Sequence, residues 1–179
     1  MLYKGHGLVK GVGFDSWRPV GPPMQTLKVY NMREVDELIF VDITATIEKR
    51  PIDIDLIDDI ADECFVPFTV GGGVNSIDDM RDLLRVGADR VTVCTAAVET
   101  PELIHEMSNK FGSQSVVVSI DAKRNPDGNK EVYTHSGTRP AGLSPVEFAR
   151  EMESMGAGEI LLTSIDRDGT MEGYDIELI

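Results

Sequence analysis

The chain has 179 residues, 41% of them hydrophobic and 27% charged, enough to bury a substantial core as one globular unit. A formal net charge of −14 excludes a nucleic-acid or anionic-membrane surface, which needs clustered Lys and Arg. It does not exclude a small phosphorylated ligand held by local N–H groups. Cys64 and Cys94 lack metal-ligand spacing and fall on predicted buried elements, the pattern of reduced structural thiols. With no apolar run of membrane-span length and no leader pattern at the start, the cytoplasm is the expected compartment.

Residues 4–14 read as a glycine-rich β-ribbon, most strand-like at Leu8-Val9-Lys10. Residues 15–23 contain three prolines and the only tryptophan, Trp17, and read as a loop. Helical spacing covers 24–35. Residues 37–42 form a continuous apolar strand that ends in Asp42, and the polar loop 43–51 after it is of the kind that covers a site. An acidic helix is expected over 52–65, with Ile52, Leu56, Ile57, Ile60 and Cys64 along its apolar side.

The stretch 67–99 organises the rest. Phe68-Thr69-Val70 is a short buried strand, ended abruptly by Gly71-Gly72-Gly73. Ser76 and Asp79 have capping-box spacing, Met80, Leu83, Leu84 and Val86 make a helical stripe, and Gly87 closes it. Residues 90–94 return as a strand and run into the small-residue turn Thr95-Ala96-Ala97. Two parallel strands followed by turns without bulky side chains leave backbone N–H groups open to an anion, a phosphate cradle. A tight βα turn needs the same glycines, so the motif alone leaves both readings open.

Beyond it, Thr100-Pro101-Glu102 opens a helix that runs to 111, and 115–120 is a buried strand ending in Asp121. The connection 122–142 is long and holds a short hairpin strand at 130–134, with His135 exposed beside it. Ser144-Pro145-Val146-Glu147 starts another helix, and 159–163 is the last full strand. This β, α alternation demands a parallel sheet with helices outside. Polar groups close strand after strand: Asp42, Gly73, Thr95, Asp121, Thr163 and Asp166. A site fed by every strand suits the mouth of a (β/α)8 barrel rather than the single switch point of an open sheet. Residues 37–44 echo 159–166, as expected of a barrel built from two similar halves.

The stretches FVDITAT, IEKR, PFTVGGGV, TAAVE, FGSQSVVVSIDAKR and GAGEILLTSIDRDGTMEGYD resemble the cyclase subunit of imidazole glycerol phosphate synthase, over nearly the whole chain. The resemblance implies a single α/β domain, here an incomplete (β/α)8 barrel of about six strands spanning 1–179. The first strand is then expected to be under way at Met1, and the last two βα units to lie outside the chain. It implies an enzyme that takes ammonia from a glutaminase partner and closes an imidazole ring on a doubly phosphorylated ribonucleotide. The products are imidazole glycerol phosphate and an aminoimidazole carboxamide ribotide of histidine biosynthesis, with no metal or organic cofactor.

Matched residue by residue, Asp121 corresponds to a catalytic carboxylate, and Gly72, Gly73 and Thr95 to the first phosphate site. Lys10, Asp42, Thr163, Asp168 and Gly169 fall near the substrate. Asp89 falls on the face that meets the glutaminase, and Arg90, Glu37 and Glu159 gate the ammonia channel at the barrel floor. Three positions depart from the family. Leu2 stands where a second carboxylate is expected, Cys94 replaces asparagine, and the opening basic residue of the gate is missing. Leucine on the first strand is associated with a side branch that delivers ammonia for surface-polysaccharide glycosyl amidation. A non-catalytic half-barrel that docks a partner is the third reading. An unclosed barrel without the second phosphate site of the last two strands is expected to be inactive by itself, to expose two unpaired strand edges and to associate.

Overall fold

A computed structural model describes residues 1–179. Six strands form a parallel ladder in the order β1 (Leu2–Lys4), β4 (Leu38–Asp42), β5 (Phe68–Gly71), β6 (Arg90–Val93), β7 (Val116–Arg124) and β10 (Glu159–Ser164). Each strand is laid beside its predecessor on the same side, the progression of a barrel wall rather than of an open sheet that reverses direction. The helices α1 (Pro23–Met32), α3 (Ile54–Asp62), α4 (Ile77–Arg85), α6 (Glu102–Phe111) and α7 (Pro145–Ser154) supply its outer layer, and the short α2 (Ala45–Glu48) follows β4.

Alternation along each strand sets the two layers. Val116, Val118 and Ile120 of β7 face the helices with Phe40, Val70 and Val91, joined by Ile57, Ile60, Met80, Leu83, Ile104, Phe148 and Met152 in one continuous core. The intervening positions, Ser119 and Asp121 on β7 and Leu161 and Thr163 on β10, face the interior of the wall. Local chemistry agrees with the placement. Ser76 accepts from the Asp79 N–H at 3.1 Å to cap α4, and Asp53 accepts from the Leu56 N–H at 3.2 Å to cap α3. Ser144 makes no capping bond, and α7 starts on Pro145 instead.

Four sequence expectations are corrected. Residues 15–23 are not a loop: Asp15–Gly21 is β3, which pairs antiparallel with β2 (Gly7–Val12), and Pro19 is tolerated because β3 is the outermost strand. Thr95-Ala96-Ala97 is not a turn but opens the short helix α5 (Thr95–Glu99). Asp121 does not end its strand, since Asp121–Arg124 continues β7 by pairing antiparallel with β8 (Lys130–Thr134). Finally, one of the two expected bare edges is covered, because β1 is flanked by β2 as well as β4, whereas β10 pairs with β7 alone.

The loops at the carboxyl ends are tied together. The Gly13 N–H at the tip of the β2–β3 hairpin donates to the Asp168 carbonyl at 2.9 Å. Between β8 and β9 (Arg139–Pro140), Ser136 Oγ donates to the Ile43 carbonyl at 2.7 Å. These ties bring loops distant in sequence around one opening.

Candidate functional site

The opening leads to a cavity of about 900 Å3 between the inner strand faces and the carboxyl-end loops. Asp42, Gly72, Gly73, Thr95, Asp121, Thr163 and Asp168 all line it, so residues spread over more than a hundred positions share one space. Asp121 and Gly73 open onto the same face of the molecule. Lys10 and Gly169 do not line it. Lys10 is exposed on β2 opposite Arg18, and Gly169 packs onto the β2–β3 hairpin, where a Cβ would sit 2.1 Å from the Gly11 carbonyl oxygen.

The two glycines have a packing reason and leave a chemical opportunity. Gly72 (φ +110°) lies against the β4 end, and a Cβ there would meet the Asp42 carbonyl oxygen at 2.2 Å. Gly73 (φ +73°) is pressed against Ala45 and the Arg50 carbonyl. The turn is therefore tight, yet the Gly72 and Gly73 N–H groups donate to no protein acceptor. Tight turn and anion cradle are compatible here.

The two carboxylates on the strand wall differ in surroundings. Asp42 is buried and saturated. Its Oδ1 accepts from the Thr44 N–H at 3.0 Å, Thr44 Oγ1 at 3.1 Å and the Ala45 N–H at 3.2 Å, and its Oδ2 pairs with Arg50 Nη1 at 2.7 Å. Hydrogen bonds to Asp42 and Glu48 hold the Arg50 guanidinium above its ordinary pKa. Asp121 is also buried but has no cation beside it; Cys94 Sγ donates to its Oδ2 at 3.6 Å. Burial raises its pKa from 3.8 to about 6, Cys94 and Ser119 oppose the rise, and the negative charge of Asp168 adds to it. Burial likewise raises Asp168, against a hydrogen bond from the Phe14 N–H. The Cys94 thiol is pushed well above 9 by burial and then by Asp121.

At the opposite end of the strands, Arg90 Nη1 lies 3.2 Å from Glu37 Oε1 and 3.5 Å from Glu159 Oε2. These residues sit at the starts of β6, β4 and β10, at the amino ends of the strands, and none of the three lines the cavity. Asp89, exposed beside it, is bound to the backbone. Its carboxylate accepts from the Phe68 N–H at 2.8 Å, and its own N–H donates to the Phe68 carbonyl at 2.9 Å.

Sequence reasoning missed two residues. His135 is not exposed: its side chain is 16% accessible, it lines the cavity, and its N–H donates to Thr95 Oγ1 at 3.1 Å. The signal was Gly137 close behind it, marking a tight hairpin tip that turns back over the mouth. Arg50 lay unremarked in the polar loop, although an arginine eight residues after a strand-end aspartate is placed to return to it.

A parallel strand wall carrying a polar cavity at its carboxyl ends defines a protein of the (β/α)-barrel class. The family model for histidine biosynthesis proteins matches residues 4–179, and the chain belongs to that family, whose members are isomerases and cyclases of histidine biosynthesis. No helix is long and apolar enough to cross a membrane.

Proposed function

We propose that this chain acts as the cyclase subunit of imidazole glycerol phosphate synthase, taking ammonia from a glutaminase partner to close an imidazole ring. One observation carries the reading: Asp121, an under-partnered carboxylate, shares a cavity with the open N–H groups of Gly72 and Gly73, while Arg90 pairs with Glu37 and Glu159 at the amino ends of the same strands. In this reading the glycine turn and Thr95 hold one phosphate, which fixes the ribonucleotide across the mouth. Ammonia enters at the floor beside Arg90 and attacks the substrate carbonyl from below. Asp121, with a pKa of about 6, is poised to take and return protons during ring closure and cleavage near neutral pH. The products are imidazole glycerol phosphate and the aminoimidazole carboxamide ribotide.

One observation favours a second reading. Leu2, on β1, lines the cavity and offers no acid opposite Asp121. That suits the ammonia-delivering relative of polysaccharide glycosyl amidation, in which the barrel conducts ammonia without ring chemistry. Ammonium-supported turnover of the ribonucleotide separates the two. Release of the carboxamide ribotide supports the cyclase. Its absence, together with glutamine-dependent amidation of a sugar by the partnered chain, overturns the cyclase in favour of the relative.

A further inference from the structure

One nucleophile in the cavity has no part in that chemistry. Cys94 follows β6 directly, its thiol donating to Asp121 Oδ2 at 3.6 Å. Alternate residues of a strand share a face, and Thr92, one step below Cys94, also lines the cavity. Thr92 is 4% exposed and its Oγ1 has no hydrogen-bond partner, a buried hydroxyl left for a bound molecule to satisfy. The wall beside Asp121 thus offers the Cys94 thiol and the hydroxyls of Thr92 and Ser119 but no cation.

We propose that Cys94 is the positioning residue of Asp121: its S–H donates to Oδ2 and orients the carboxylate toward the molecule that Thr92 helps to hold. The proposal rests on the reading of Asp121 as the proton handler. Where the resemblance leads one to expect an asparagine amide, a thiol supplies the donor. Thiol and carboxylate therefore influence each other in opposite senses: the S–H favours the charged carboxylate, and the charged carboxylate disfavours the thiolate. The other titratable or charged groups around Asp121 are Asp168, in the turn after β10, Tyr133, its register partner on β8, and Lys123, two residues further along β7 and 5.8 Å over the Tyr133 ring.

The test titrates the Asp121 carboxyl by carbon-13 NMR in the whole chain and in Cys94→Ala, Cys94→Ser and Cys94→Asn, with thermal melts to verify folding. The unaltered chain should titrate near 6. Cys94→Ala should raise the midpoint by about half a pH unit, and the two variants that keep a donor should restore it. Reciprocally, Asp121→Asn should speed iodoacetamide alkylation of Cys94 several-fold near pH 8, followed by peptide mass. There the sulfur–carbon bond forms, iodide leaves and the thiol proton passes to buffer. Both effects are expected of one contact between the thiol and the carboxylate, so the absence of either one overturns the proposal. Neither readout uses substrate, so a failed cyclase reading and a failed Cys94 pairing give different results.

Discussion

Asp42 and Asp121 occupy equivalent places on two strands of one wall, both buried and both lining the same cavity. Asp42 meets three donors of its own loop and a guanidinium, so every oxygen is committed to holding residues 42–50 in shape. Asp121 meets no cation, and burial, helped by the charge of Asp168, raises its proton affinity against the weak donors Cys94, at 3.6 Å, and Ser119. Burial with full pairing makes a carboxylate structural; burial without pairing leaves it unsettled and reactive. The contrast assigns scaffold to one aspartate and chemistry to the other.

The largest expected effect that would break this contrast is on Asp42. Asp42→Ala leaves Arg50 with only the half-exposed Glu48 for a partner and three donors without an acceptor, and should cost about 3 kcal/mol in denaturant unfolding. Asp121→Asn should do the reverse near pH 8. Its carboxyl has a higher pKa in the folded chain than its ordinary 3.8, so the folded state holds the proton more tightly, and stability falls as pH rises from about 4 to about 6. Asparagine removes that cost, and a gain of up to about 3 kcal/mol near pH 8 should vanish near pH 4, read from melts at both pH values. Gly72→Ala sharpens the comparison by striking the Asp42 side of the cavity, where a Cβ meets backbone at 2.2 Å; a loss of roughly 1–3 kcal/mol is expected in the same denaturant assay. Glu37→Gln is the smallest, since half-exposed ion pairs contribute less than about 1 kcal/mol. It should leave stability and ammonium-supported turnover nearly unchanged while altering use of glutamine-derived ammonia, measured as the ratio of the two rates.

The wall was legible in the sequence because period-two apolar runs and capped helices are local signals: Ser76 with Asp79, or the valines of β7, act within a few residues. The gathering of Gly73, Thr95, Asp121 and Thr163 was legible too, because polar residues closed successive strands. What was not legible depends on partners distant in sequence. The proline-bearing segment 15–21 becomes a strand only because β2 lies beside it, and β7 runs past Asp121 only because β8 folds back onto it. His135 comes under cover through Thr95, forty residues away. The difference between Asp42 and Asp121 was equally hidden, since it is decided by the contacts that Arg50 and Cys94 make in the fold.

The most direct measurement is ammonium-supported formation of imidazole glycerol phosphate by the full-length protein carrying Asp121→Asn, with Asp42→Asn as its counterpart. The account expects Asp121→Asn to fold at least as well as the unaltered chain and to lose roughly a hundred- to ten-thousandfold in turnover. Turnover within about tenfold of the unaltered chain, in a variant shown to be folded, would contradict it.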